Sequence, residues 1–183
     1  MHLGRQKTTE FMQFYRVMVE HGCRSFLEVG SQHGDTFFAV GCTMDRVCSV
    51  DMPGGSWGSG DSKELLLERA ETLRRLGVDT KTVFGDSRSA DVIEQVQAGA
   101  PYDAVFIDAD HSYDSVRHDW MTYGKMASKV VGFHDIIGPP PVEVPRLWSA
   151  LKKEFNQWSE FVEYWGDRPM GIGVIVLEGK DGT

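Results

Sequence analysis

Five acidic residues close or follow five short β-rich segments of the chain. They are Glu28, Asp51, Asp86, Asp108 and Asp135. An acid at the start of the next helix is favourable, so each of them alone has an ordinary structural explanation. Five carboxylates at one edge of a sheet repel one another unless a cation, hydrogen-bond donors or water offset their charge. We therefore predict that together they line a polar cleft that binds a ligand.

A glycine-containing turn follows the first of these segments, at Gly30-Ser31-Gln32-His33-Gly34. A dinucleotide-binding turn has the pattern G-x-G-x-x-G, in which the middle glycine lets the pyrophosphate approach the backbone. Because that middle glycine is missing here, the turn suits a ligand with adenosine but no pyrophosphate. Asp51 stands about twenty residues later, where an acid commonly accepts hydrogen bonds from ribose hydroxyls. The alternative is that the glycines only permit the turn geometry.

His111 follows the fourth acidic segment, in the sequence Asp108-Ala109-Asp110-His111. A histidine beside a strand end can take the proton from an attacking hydroxyl, because its pKa lies near neutrality. His111 is therefore the candidate general base, and we take Asp108 beside it as the second candidate catalytic residue. The alternative is that His111 caps the helix beginning near Ser112, or that it bonds Asp110.

The elements that must position these residues alternate between β-rich runs and segments with helical periodicity, the pattern of an α/β fold. The predicted helices cover residues 10–21, 61–76, 90–97, 112–126 and 144–155, and a further helix begins near residue 34. The predicted strands cover residues 25–29, 46–50, 80–84, 102–107, 129–133, 161–165 and 172–177.

Five parallel strands with crossover helices, closed by an antiparallel pair, form an open doubly wound sheet with helices on both faces. Ligands bind to such a sheet outside the carboxyl ends of its strands, near the point where the strand order reverses. The length of 183 residues fits a single domain over residues 1–183, with a core at about 22–178.

The composition argues against several classes of protein. The chain has 19 Lys and Arg against 27 Asp and Glu, and its net charge of −8 disfavours nucleic acid as the main ligand. No apolar run is long enough to span a membrane, and the first residues lack the apolar core of a signal peptide. Cys23, Cys42 and Cys48 form no CxxC pair, which favours reduced thiols and a cytoplasmic location. The oligomeric state stays open, a homodimer included.

Several segments together resemble the class I S-adenosylmethionine-dependent methyltransferases, over roughly residues 25–177. The last two segments narrow the resemblance to the small metal-assisted O-methyltransferases, of which catechol O-methyltransferase is the familiar member. They are closer still to a bacterial and phage branch with Asp-x-Asp-His-Ser-Tyr and a His-Asp strand end. The segments are Leu27-Glu28-Val29-Gly30 through Gly34, Ser49-Val50-Asp51-Met52, Phe84-Gly85-Asp86-Ser87, Phe106-Ile107-Asp108-Ala109-Asp110-His111 and Gly132-Phe133-His134-Asp135.

The resemblance implies a Rossmann-like sheet of seven strands with an antiparallel last strand, and S-adenosylmethionine as the cofactor. It also implies which residues contact each part of that cofactor. These are Glu28, Gly30, Ser31 and Gly34 for the methionine part, Asp51 for the ribose, Met52, Asp86 and Ser87 for the adenine, and Asp108 beside them.

The same resemblance implies a divalent metal ion, held by Asp108, His134 and Asp135. Oxygen ligands suit Mg²⁺, and a histidine among the ligands admits Mn²⁺ or a heavier ion. The chain departs from the catechol-type pattern at two places. His111 stands where those enzymes have a lysine, and His134-Asp135 stands where they have an acid followed by an amide. The sequence therefore leaves metal assistance open.

We expect a methyltransferase that uses S-adenosylmethionine and acts on an oxygen atom of a small-molecule acceptor. Two alternatives stay open. One is a nicotinamide-dependent oxidoreductase of the Rossmann type, which the missing middle glycine disfavours. The other is a cofactor-binding module without transfer activity, because a fold alone does not establish chemistry. Sugars, phenols and polyketide- or peptide-like metabolites all remain possible acceptors.

Overall fold

The computed structural model describes residues 7–54, 62–164 and 169–177, in which helices and strands alternate. The strands are β1 (Ser25–Val29), β2 (Arg46–Asp51), β3 (Asp79–Phe84), β4 (Tyr102–Ile107), β5 (Ala127–His134), β6 (Trp158–Phe161) and β7 (Ile172–Val176). The helices are α1 (Thr8–Glu20), α2 (Asp35–Gly41), α3 (Ser62–Arg75), α4 (Ala90–Gln97), α5 (Tyr113–Thr122) and α6 (Val144–Glu154).

All seven strands belong to one sheet with the order β3-β2-β1-β4-β5-β7-β6. Strands β1 to β5 are parallel, and β7 lies antiparallel between β5 and β6. The strand order reverses between β1 and β4, which therefore flank the switch point of the sheet. This architecture confirms the predicted α/β doubly wound sheet with its antiparallel last strand.

Helices cover both faces of the sheet, because successive side chains of a buried strand point to opposite faces. In β1, Phe26 belongs to one core and Leu27 and Val29 belong to the other. The Phe26 core contains apolar residues of α1, α2 and α3, and the Leu27 core contains residues of α4, α5 and α6. None of the helices in the described part of the chain has the length and apolarity needed to cross a membrane.

Two predicted elements differ from the structure by three residues or more, and the bounds of the others within the described residues agree to within two residues. The strand predicted at 161–165 is β6 at Trp158–Phe161, which pairs only with β7 and is mostly exposed, so apolar periodicity locates it poorly. The helix predicted over 112–126 ends at Thr122 and is followed by a 3₁₀ turn, Gly124–Met126. At Gly124 the backbone passes so close to the Trp120 ring that a Cβ atom would clash with it. Residue 61, the predicted start of α3, lies outside the described residues.

Candidate active site

A cavity of about 610 Å³ opens at the carboxyl ends of the parallel strands, beside the switch point. Its size falls within the range of about 300–1,000 Å³ that is usual for small-molecule sites. All five strand-end acids line it, as do six other residues that the sequence singled out. The five are Glu28, Asp51, Asp86, Asp108 and Asp135; the six are Gly30, Ser31, Met52, Ser87, His111 and His134.

Gly34 is the one predicted site residue that does not line this cavity. It precedes α2 with a φ of +75°, and a Cβ atom there would lie 2.6 Å from the side chain of Leu66. Gly30 is different. Its φ is +91°, and a Cβ atom at this position would clash with the backbone of Asp108. The glycine thus lets the end of β1 lie directly against the end of β4, which brings their acids into one cavity.

Glu28 is buried at the base of the cavity, with 1% of its surface exposed. Burial, and then the charges of Asp108 and Asp51, raise the pKa of Glu28 to about 8, against a partial opposing effect from Ser31. The Ser31 hydroxyl in turn accepts a 2.7 Å hydrogen bond from Ser49. The Glu28 Oε2 atom is buried and has no hydrogen-bond partner among the described residues. An orphaned acceptor of this kind fits a ligand that brings a donor or a positive charge.

Asp51 ends β2 on the same side of the cavity. Its Oδ1 atom accepts a 2.8 Å hydrogen bond from the backbone N–H of Gln32, a residue with a φ of +49°. Burial is the main reason that the pKa of Asp51 is raised. Because each carboxylate oxygen can accept more than one hydrogen bond, Asp51 keeps acceptor capacity for a ligand. Met52, next to it, has 52% of its surface exposed and lines the cavity rim.

Asp86 and Ser87, in the turn after β3, each have a hydrogen-bond partner that the sequence did not indicate. Arg88 contacts both carboxylate oxygens of Asp86 at 3.1 Å and lowers the pKa of that acid. The Ser87 hydroxyl donates a 2.8 Å hydrogen bond to Asp119 of α5, whose pKa burial raises to about 6. Asp119 lies 32 positions along the chain from Ser87, so no local motif could have pointed to this pair.

Two histidines and two carboxylates meet at the ends of β4 and β5. The Nε2 atom of His111 lies 3.1 Å from Asp135 Oδ2 and 3.9 Å from Asp108 Oδ1. The Nδ1 atom of His134 lies 3.1 Å from Asp108 Oδ1 and 3.4 Å from Asp135 Oδ2. Asp135 has a φ of +58°, a left-handed conformation that is uncommon outside glycine and short polar residues. The chain therefore turns sharply at the point where it presents this carboxylate.

The carboxylates and histidines of this cluster favour one another's charged forms. Burial would raise the pKa of Asp108, but His134 and His111 hold it below its ordinary value. Burial would lower the pKa of His134, but Asp108 and Asp135 raise it to about 10. Ligand atoms of Asp108, His111 and Asp135 all lie within 4.8 Å of one another. Two carboxylates and an imidazole at this spacing fit a divalent ion such as Mn²⁺ or Mg²⁺.

His111 does not cap α5, although the sequence left that possibility open. The backbone N–H of Ser112 donates to Asp110 Oδ1 at 2.7 Å, and that of Tyr113 donates to Glu143 Oε2 at 3.1 Å. These two carboxylates therefore accept the hydrogen bonds of the backbone N–H groups at the start of α5. The His111 ring instead lies against Asp135, inside the cavity.

Glu143 also anchors the apolar wall on this side of the cavity. The wall consists of residues 138–142 with Pro169 and Met170, and we call it the proline wall. Glu143 directly follows this segment, and its backbone N–H donates to the carbonyl of His111 at 2.8 Å. Arg146 lies over the Tyr113 ring at 3.9 Å and approaches Glu143. The proline wall and the turn that carries His111 are thus fastened together.

A comparison with protein families finds one match, since the profile of a methyltransferase domain matches residues 27–136. Those residues run from β1 to the turn after β5, so they include the strand ends that line the cavity. No curated protein matches the chain.

Many solved structures share this fold. An O-methyltransferase from Bacillus cereus, in complex with SAH, is 18% identical with a TM-score of 0.67, over 94% of this chain and 82% of that one. The O-methyltransferase TomG from Streptomyces achromogenes, involved in tomaymycin synthesis and in complex with SAM, is 14% identical with a TM-score of 0.66, over the same shares of the two chains. Likeness at these identities establishes the shared fold.

Proposed function

Since the chain belongs to the family of methyltransferase domains, we propose that it transfers a methyl group from S-adenosylmethionine to an oxygen of a small-molecule acceptor, with help from a divalent ion. The observation that carries this proposal is the cavity at the switch point. Its lining has one side that suits an adenosine-bearing cation and another side where two carboxylates and two histidines converge. The structural relatives named above, which bind SAM or SAH and are O-methyltransferases, support both the cofactor and the oxygen acceptor.

The cofactor side of the cavity consists of the ends of β1, β2 and β3. Asp51 would accept hydrogen bonds from the ribose hydroxyls, and Met52 would cover the adenine. Asp86 and Ser87 would meet the adenine edge, where Arg88 and Asp119 hold them in place. Glu28, with Gly30 and Ser31 beside it, would face the methionine part of the cofactor, whose positive charges suit a buried carboxylate with one oxygen left without a hydrogen bond.

Methyl transfer to an oxygen is a direct displacement, so the protein contributes mainly by placing the two reactants in line and by removing the acceptor proton. Asp108 and Asp135 would hold the ion on the acceptor side. A bound divalent ion lowers the pKa of a coordinated hydroxyl group. The role of His111 as general base stays a prediction, since its contact with Asp135 also suits a metal ligand.

The charges around the cavity favour an acceptor without negative charge. Arg88 is the single Arg or Lys among the described lining residues, and it is paired with Asp86. The carboxylates outnumber the positive charges even after a divalent ion, a cationic cofactor, Arg88 and a protonated His134 are counted, and such a field repels anions. The proline wall adds apolar surface for the acceptor body. The lining carboxylates are Glu28, Asp35, Asp51, Asp86, Asp108, Asp110 and Asp135.

We place this activity in the cytoplasm and expect neither nucleic acid nor membrane as a partner. All three cysteines, Cys23, Cys42 and Cys48, are free thiols, as a reducing compartment would keep them. The net charge of −8 agrees with a small-molecule acceptor rather than a polyanion.

Calorimetry with S-adenosylmethionine and with NAD tests the cofactor. We expect binding of the first only, and binding of NAD alone would restore the oxidoreductase alternative. A panel of phenols, sugars and polyketide-like hydroxyl compounds, incubated with Mg²⁺ or Mn²⁺ and read by mass spectrometry, tests the transfer. The panel includes neutral, amine-bearing and carboxylate-bearing forms of the same diol. A protein that binds the cofactor but methylates no member would be a binding module, and preference for the carboxylate form would refute the charge argument.

A further inference from the structure

We propose that His111, together with Asp108 and Asp135, is a direct ligand of the divalent ion, and that His134 orients Asp108 instead of binding the ion. This inference rests on the proposed function, because it concerns the ion included there. It exchanges the roles that the sequence suggested for the two histidines. His111, predicted to accept a proton, becomes a metal ligand. His134, predicted to be a metal ligand, instead orients the ligand Asp108.

The spacing of the three donor atoms fits an ion. Adjacent donors of an octahedral ion with bonds of about 2.1 Å stand about 3.0 Å apart. His111 Nε2 already lies 3.1 Å from Asp135 Oδ2, and it lies 3.9 Å from Asp108 Oδ1. A movement of about 1 Å would bring His111 Nε2 and Asp108 Oδ1 to this spacing as well. All three ligand atoms lie within 4.8 Å of one another.

Burial separates the two histidines. An ion that assists transfer must keep coordination positions open toward the acceptor, so its ligands surround it from the cavity wall. The His111 side chain is 19% exposed and lines the cavity beside the two carboxylates. His134 is only 4% exposed, and its ring packs edge-on against Phe106 with centroids 6.3 Å apart. His134 thus reaches the cavity through only a small part of its surface and is the more deeply buried of the two histidines.

His134 has a contact that suits the supporting role. Its Nδ1 atom lies 3.1 Å from Asp108 Oδ1. Carboxylates that bind metal ions are commonly hydrogen-bonded by a neighbouring residue, which fixes their direction and tunes their affinity. Because His134 ends β5 and packs on the sheet, it holds Asp108 in a fixed position before any ion arrives.

The proposed ligand set also selects the ion. An imidazole nitrogen beside two carboxylates favours Mn²⁺ and the heavier divalent ions over Mg²⁺, which prefers a shell of oxygen ligands. The ligand role also excludes the base role, because the same Nε2 lone pair cannot bind an ion and accept a proton. The acceptor hydroxyl would then lose its proton to solvent or to a carboxylate beside the ion.

Titration of the protein with MnCl₂, followed by electron paramagnetic resonance, tests the assignment without any acceptor. Pulsed measurements detect a nitrogen atom bound directly to Mn²⁺. We compare the wild type with His111→Ala, with His134→Gln and, as a control on the exposed end of α1, with His21→Ala. We expect His111→Ala to weaken Mn²⁺ binding at least about tenfold and to abolish the nitrogen coupling. His134→Gln should weaken binding but keep the coupling, and His21→Ala should match the wild type.

Retention of the nitrogen coupling and of Mn²⁺ affinity in His111→Ala would overturn the inference, and loss of the coupling in His134→Gln alone would assign the nitrogen to His134. Circular dichroism and calorimetry with S-adenosylmethionine on the same samples identify any variant that has unfolded. If the wild type binds the cofactor but no Mn²⁺, both this inference and the metal part of the proposed function fail, while its cofactor part stands. Failure to bind the cofactor would refute the proposed function separately.

Discussion

The cavity has two halves that treat their acids differently. In the cofactor half, each acid faces groups that are fixed in place: Asp51 accepts a backbone N–H, Asp86 pairs with Arg88, and Glu28 is buried beside Ser31. In the acceptor half, Asp108 and Asp135 share two histidines within 4 Å. The first half resembles a rigid binding surface, and the second resembles a centre that can exchange a proton or an ion.

The pKa directions of Glu28, Asp51 and Asp108 follow the same division, whereas Asp86 in the cofactor half has its pKa lowered by its own partner, Arg88. Burial raises the pKa of both Glu28 and Asp51, whereas the histidines lower the pKa of Asp108. A carboxyl group with a raised pKa gains when a cation arrives, because the cation favours its charged form. An acid that is already ionised and lies close to another acid needs a nearby cation to offset the repulsion between the two carboxylates. The comparison therefore predicts that the cofactor half controls affinity and the acceptor half controls turnover.

The largest expected effect concerns the acceptor half alone. Removal of divalent ions with EDTA should lower turnover by about a hundredfold or more, because an ion at a reacting hydroxyl is worth several kcal/mol of transition-state stabilisation. Added Mn²⁺ or Mg²⁺ should restore the rate. Affinity for S-adenosylmethionine, measured by calorimetry in the same buffers, serves as the control and should stay within about threefold. Full turnover after rigorous metal removal would mean that the cluster only forms hydrogen bonds.

The second effect concerns the cofactor half. Asp51→Ala should weaken S-adenosylmethionine binding about ten- to a hundredfold, because charge-assisted hydrogen bonds contribute about 1.5–3 kcal/mol. The rate at saturating cofactor should change much less. Asp79→Ala is a matched control, since Asp79 is exposed and lies at the amino end of β3, away from the cavity at the carboxyl ends of the strands. Equal affinities in the two folded variants would contradict the role of Asp51 at the ribose.

The third effect is a pH dependence that arises from Glu28. The pKa of this acid is about 8 in the protein, so it is protonated at lower pH, and a cationic cofactor must displace that proton. Cofactor affinity should therefore rise with pH up to about 8, by at most about tenfold per pH unit. Calorimetry in buffers of different ionisation enthalpy measures the proton released. Glu28→Gln should release none from this position, and an unchanged proton count in that variant would assign the release to another group.

The smallest effect concerns Met52, which has 52% of its surface exposed and would be covered by the adenine in the proposed complex. Met52→Ala should lower cofactor affinity about fivefold, because roughly half of a large apolar side chain remains to be buried. Met121→Ala, on the exposed surface of α5, is the control and should leave affinity unchanged. A loss of turnover without a loss of affinity in Met52→Ala would contradict the prediction that the cofactor half controls affinity and the acceptor half controls turnover.

The sequence predicted most of this framework because the buried parallel strands have a strong apolar signal. Helix α4 and strands β1 and β4 have the predicted bounds. The edge strand β6 was misplaced by three residues, because a half-exposed strand has no core face to reveal it. The positions of the strand-end acids followed from topology alone, since parallel strands bring their carboxyl ends to one edge.

The roles of the individual side chains did not follow from the sequence. No local pattern connects Ser87 with Asp119, or Glu143 with Tyr113, although each pair is joined by a hydrogen bond. From the sequence, His111 was predicted to accept a proton and His134 to bind the metal ion, although each simply follows or precedes a strand-end acid. Only their depth in the fold distinguishes them, and depth depends on packing against residues such as Phe106.

The position of Glu143 has a consequence for engineering. Glu143 directly precedes α6, its carboxylate accepts a hydrogen bond from the first N–H of α5, and its own N–H donates to the carbonyl of His111. A foreign loop that replaces residues 138–142 but keeps Glu143 therefore preserves both links to this region. A graft that also replaces Glu143 loses the carboxylate that holds the start of α5, the helix directly after the turn bearing His111. In that case the proline wall and this turn are best exchanged together.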